Sequence, residues 1–140
     1  MKRNAVVLLS FVCGSGLGLL GSQLLLAQSR NAGYSTEMLL RMDLQNLPEQ
    51  EALVFVSTWA PGSRLPMHIH PNAHEFTFVV DGEQTFHFAG GVVKTVKAGE
   101  VIYTPPNVPH FGENATDKWS KTVVFRIKEK SQPIMVEVNK

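Results

Sequence analysis

At 140 residues, with 44% hydrophobic and 18% charged side chains, the chain is sized for one domain with an ordinary core. Thirteen basic against twelve acidic residues leave a formal charge of +1, so the basic surface that a nucleic-acid partner requires is excluded. The single cysteine, Cys13, lies near the start, and a chain processed beyond it has neither disulfides nor thiolate ligands.

Residues 1–27 are unlike the rest. Lys2 and Arg3 give a short positive start, and Ala5 to Ala27 contains no charged residue. This apolar leader helix has two readings, a cleaved secretory signal peptide or an uncleaved membrane anchor. Its length suits the anchor; its serines and four glycines weaken a spanning helix and suit the signal peptide. Ala27-Gln28 is a plausible cleavage point. On either reading the following domain is delivered outside the cytoplasm, to the periplasm or beyond, and touches a membrane only through the leader. Residues 28–35 read as a polar linker, and residues 36–140 as the folded domain.

From Thr36 onward, runs of Val, Phe, Thr and Ile alternate with Gly, Pro, Asn and Asp. Strands are expected over Ala52–Trp59, Glu75–Val80, Gln84–Phe88, Val92–Lys97, Val101–Thr104 and Thr122–Ile127. Hairpin turns are expected at Asp81-Gly82-Glu83 and Gly90-Gly91. No later segment has a helical period, so the fold class is all-β, a small antiparallel sandwich or barrel.

Strand geometry sorts the histidines. Side chains alternate between faces, so His68 and His70 point the same way, and Glu75 opens the next strand after a short turn. Two imidazoles and a carboxylate are nitrogen and oxygen donors suited to a divalent transition metal. His74 faces away by the same alternation. In Gln84-Thr85-Phe86-His87-Phe88 the aromatic face belongs inside, turning Gln84 inward and His87 outward. Thr77 shares the face of Glu75.

The wider spacing carries a family resemblance. Gly62, five residues, His68, one, His70, four, Glu75, six, Gly82 matches the first motif of the cupin superfamily at every position. Gly99, five residues, Pro105, then His110 and, after three more, Asn114 matches the second. The sixteen residues from Glu83 to Ala98 resemble the inter-motif segment of small bacterial cupins, and the likeness runs from about Leu53 to Ile127. One position departs: Asn107 stands where the second motif has glycine, and Asn is the residue best able to take the positive φ of that turn.

The resemblance implies a single-domain cupin, a jelly-roll barrel holding one metal ion through His68, His70, Glu75 and His110, with two coordination positions open. Iron, manganese, copper, zinc and nickel are all compatible. Export favours copper or zinc by availability, whereas cupins commonly carry iron or manganese. Thr77, Gln84 and Tyr103 are the candidate substrate-pocket residues. The implied function is metal-dependent chemistry on a small molecule, a dioxygenase-like oxidoreductase; the alternative is a non-catalytic small-molecule or metal-binding cupin outside the cytoplasm. No catalytic acid or base is evident. A homodimer formed through edge strands is also implied, with Thr36–Met42 available for it.

Overall fold

The structure, a computed structural model, describes residues 33–138. The leader and most of the linker lie outside them. Ten strands follow in order: β1 Tyr34–Leu44, β2 Leu47–Trp59, β3 His68–Ile69, β4 Ala73–Asp81, β5 Glu83–Phe88, β6 Val93–Lys97, β7 Val101–Thr104, β8 His110–Glu113, β9 Ser120–Glu129 and β10 Val136–Glu137. They form two five-stranded antiparallel sheets, ordered β1-β2-β9-β4-β7 and β10-β3-β8-β5-β6. This is the all-β class that the patterning predicts and the jelly roll that the resemblance implies. No described helix is long and apolar enough to cross a membrane.

Alternation decides what lies between the sheets. Along β4, Ala73, Glu75, Thr77 and Val79 are buried while His74, Phe76, Phe78 and Val80 face out. Along β9, Ser120, Thr122, Arg126 and Lys128 are the buried side chains. Val79 and Ile102 from one sheet meet Phe86 and Val96 from the other, forming the apolar core. Each large side chain so buried stabilises the fold by roughly 1.5–3 kcal/mol.

That core fills one part of the interior only. The remainder mixes buried apolar residues such as Leu53 and Phe55 with polar pairs: Trp59 Nε1 donates to Thr122 at 3.1 Å, and the Gln84 amide bonds Ser120. Polar groups placed inside a barrel need partners there, and these strands supply them to one another.

The turns behave as their residues require. Gly82 has φ 74°, and a Cβ there would lie 2.7 Å from that of Ser120, so only glycine fits. Asn107 has φ 62°, as its place in the second motif predicts. It is braced by Asn72, itself at φ 47°: the Asn107 amide donates to Asn72 Oδ1, and Asn72 N–H donates to Asn107 Oδ1, both at 3.2 Å.

Two boundaries differ from expectation. β1 begins at Tyr34, inside the stretch read as linker, and pairs along the whole of β2. Its exposed residues hide the alternation that marks the other strands, as expected of an edge strand with one solvated face. β3 and β10 are two residues each, too short to leave a periodic signal.

Candidate metal centre

β3 ends in the interior at one end of the barrel, and its one ladder pair with β8 sets His68 opposite His110. His70 follows one pleat later on the same side. The three imidazoles are 3%, 3% and 2% exposed, and their candidate ligand nitrogens all lie within 4.8 Å of one another. Among the described residues this is the cluster able to hold a metal ion.

Each ring is fixed by its other nitrogen. Nδ1 of His68 meets the Pro66 carbonyl at 2.8 Å, Nδ1 of His70 meets that of Ile134 at 2.8 Å, and Nδ1 of His110 meets that of Val108 at 2.9 Å. A carbonyl only accepts, so each Nδ1 carries the proton and each Nε2 keeps a free lone pair when the ring is neutral. Burial favours the neutral form of His68 and His70. It pushes His68 down to about 3, helped by the neighbouring His110 and His70, and it lowers His70 despite the attraction of Glu75.

Glu75 completes the group. Its Oε2 lies 3.0 Å from His70 Nε2 and its Oε1 3.8 Å from His110 Nε2. Burial alone would raise this carboxyl, but the Arg126 guanidinium outweighs it and holds it well below the usual carboxylate range. A neutral imidazole lone pair facing a carboxylate at 3.0 Å is two acceptors in contact, an arrangement that calls for a cation. The donor set therefore fits a divalent transition metal: three imidazole nitrogens and one carboxylate, desolvated and held from behind by hydrogen bonds.

The cation actually in contact is Arg126, which the sequence reading missed. From β9, 7% exposed, it donates through Nε to Glu75 Oε2 at 3.0 Å and through Nη2 to the same oxygen. Nη2 also reaches His70 Nε2 at 3.1 Å, and Nη1 donates to the Ile134 carbonyl at 3.2 Å. One signal was available. In Thr122–Ile127 the alternation that buries Thr122 also buries Arg126, and a charge at an inward position of a β-branched strand demands a partner. One step outward along the strand, buried Lys128 bonds Glu51 at 2.9 Å, and Glu51 in turn accepts from Arg41 at 2.6 Å.

The proposed pocket residues fare unevenly. Thr77 is buried beside Glu75, its hydroxyl 3.5 Å from Oε1. Gln84 is inside, as expected, but at the other end of the barrel. It lies four residues before Phe88, the ladder partner of His110, so roughly 13 Å away along the strand. Tyr103 is not brought to the site. Parity places it on the outer face, 42% exposed, where its hydroxyl bonds His74 at 2.7 Å, while its neighbour Thr104 faces inward opposite Glu75. His74 and His87 are off the cluster as alternation predicts, His87 pairing with Glu113 at 2.7 Å. Two surface hollows lie away from the histidines, one of about 750 Å³ between β6 and β7 and one of about 230 Å³ beside His74.

A jelly-roll barrel with a histidine cluster inside one end defines the class. Residues 55–125 match the cupin domain family, half of the chain, and the chain belongs to that family. Germin-like protein 1 of Brassica napus is 42% identical over 60 residues, covering 40% of this chain and 29% of that protein. The chain spans about a third of the length of the curated relatives it matches. Among solved structures, a conserved protein with a double-stranded β-helix domain from Klebsiella pneumoniae superposes with a TM-score of 0.64 at 21% identity, over 79% of this chain and 88% of that one. An oxalate oxidase in complex with glycolate gives 0.59 at 24% identity, over 79% and 57%. At these identities the superpositions speak to the fold.

Proposed function

We propose that this protein is a metal-dependent cupin acting on a small molecule, an oxidoreductase of the dioxygenase kind, with His68, His70, Glu75 and His110 as its metal ligands. The observation that carries the reading is the trio of Nδ1–H···O=C anchors, which leave three desolvated Nε2 lone pairs and a carboxylate aimed at one volume. A divalent ion held there would supply Lewis acidity or a redox couple, with positions left for substrate or dioxygen. The chain's own contribution is to orient the rings, to keep His68 and His70 unprotonated near neutral pH, and to shield the site from bulk water. Thr77 and Thr104 are the inward hydroxyls beside Glu75 on the same sheet. The curated relatives that the chain matches include an oxalate oxidase, 34% identical over 74 residues, which supports a reading of oxygen chemistry.

A second reading is a non-catalytic binding protein. It is favoured by one observation: the carboxylate at the site is held ionised by Arg126, so it is not poised to exchange a proton near pH 7. We further propose that the domain is exported by its leader and works as a homodimer. The edge strand β1 and the outward aromatic row of Phe76, Phe78 and Phe125 support such an assembly. The test is oxygen uptake by chain reconstituted with iron(II), manganese(II) or copper(II), screened against small organic acids and diols. Uptake that His110→Ala abolishes supports an oxidoreductase; metal-loaded protein that consumes no oxygen with any of them favours the binding reading.

A further inference from the structure

The charge arrangement around Glu75 specifies what must accompany a metal. In this structure Glu75 and Arg126 are a buried pair of opposite charges. The nearest other buried carboxylate, Glu51, is already committed to Lys128 and Arg41. A divalent ion among the imidazoles therefore adds two positive charges to a dry region with no spare anion to offset them. Uncompensated buried charge is the most costly arrangement a protein interior can hold.

The hydrogen bonds point the same way. His70 Nε2 has one lone pair, and here Arg126 Nη2 donates to it at 3.1 Å. An ion that takes this lone pair releases a guanidinium N–H beside itself. Arg126 cannot retreat far: Nε stays on Glu75, Nη1 on the Ile134 carbonyl, and the guanidinium carbon sits 5.4 Å from the Phe55 ring centroid. A second donor is waiting nearby. Thr104 is 1% exposed, its Oγ1 has no hydrogen-bond partner among the described residues, and the β4–β7 ladder sets it opposite Glu75 on the inward face. A released guanidinium N–H on a fixed arginine and a spare hydroxyl are groups that bind a carboxylate.

We infer that the site takes its metal and a small carboxylate cooperatively, with Arg126 receiving the carboxylate once the metal has claimed His70. This rests on the histidines being metal ligands, and it adds a ligand class and a residue to that reading. By linkage, an anion favoured by the loaded site must tighten the metal by the same factor.

The test titrates cobalt(II) into the full chain against a competing chelator, in millimolar glycolate or in its neutral isostere glycolamide. The expected result is a cobalt affinity at least about tenfold higher with glycolate than with glycolamide. Arg126→Gln should bind cobalt at least as tightly as the parent in glycolamide and lose most of the glycolate advantage; Arg126→Lys should keep part of it. Equal affinities in the two solutes for the parent chain overturn the inference even if Arg126→Gln does not fold. A full glycolate advantage in folded Arg126→Gln also overturns it, leaving the metal reading intact. A parent chain that takes up no cobalt in either solute overturns both.

Discussion

The Ile134 carbonyl holds two groups of the site at once, which makes the C-terminal segment a structural part of a centre whose His70 lies 64 residues away in sequence. It accepts from His70 Nδ1 at 2.8 Å and from Arg126 Nη1 at 3.2 Å. The segment is fastened to the barrel by β10, which pairs with β3, and by the Val138 N–H donating to the Met67 carbonyl at 3.0 Å. Ending the chain after Lys130 removes all of this. Two buried donors lose their acceptor, each costing about 1–3 kcal/mol, toward the lower figure where water can follow. The bare edge of β3 loses backbone bonds worth about 1 kcal/mol net apiece. The truncated protein should therefore be about 3–5 kcal/mol less stable in urea titration, a large fraction of the roughly 5–15 kcal/mol of a small domain. Its His70 ring is free to turn, so metal affinity should fall about 10–100-fold by isothermal titration. A truncated chain within about 1 kcal/mol of the parent, with unchanged metal affinity, would refute the role assigned to this carbonyl.

Three further predictions use the same reasoning. Glu75→Gln leaves the Arg126 guanidinium buried without a counter-charge, and the metal-free protein should lose about 3–5 kcal/mol of stability in urea denaturation. Metal-free stability should fall as pH drops below 6.5, because the unfolded chain protonates His68 near 6.5 whereas the folded chain resists until about 3. Between pH 7 and 5 His68 alone contributes a loss of about 2 kcal/mol, His70 adds in the same direction, and a flat profile over that window would contradict the neutral burial of these two rings. At Asn107, with φ 62°, glycine should be tolerated within about 1 kcal/mol while valine should cost clearly more, as thermal midpoints will show.

Much of the barrel was legible because its strands alternate. β4, β5 and β7 bury every second residue, and the punctuation at Gly82 and Gly90-Gly91 sits where the chain turns with positive φ. His68, His70 and Glu75 were legible from alternation and a short turn, His70 lying just past β3 and Glu75 near the start of β4, whereas His110 was supplied by the resemblance of the second motif. Tyr103 was misplaced because a pocket role was assigned by residue type; in Val101–Thr104 the pleat gives the inside to Ile102 and Thr104. Gln84 was placed on the correct face, but a face does not specify which end of a barrel a residue occupies. The partners of Arg126 and Ile134 were illegible for a different reason. Their roles depend on pairings between segments far apart in sequence, Glu75 with Arg126 and β10 with β3, which local periodicity does not encode.

The most direct test of the account is elemental analysis of the mature protein, purified from its native compartment without a metal-affinity tag, beside His110→Ala prepared in parallel. The account predicts one transition-metal ion per parent chain and none in a variant that remains folded. A parent chain that carries no metal, and takes up none at micromolar concentration, would contradict it.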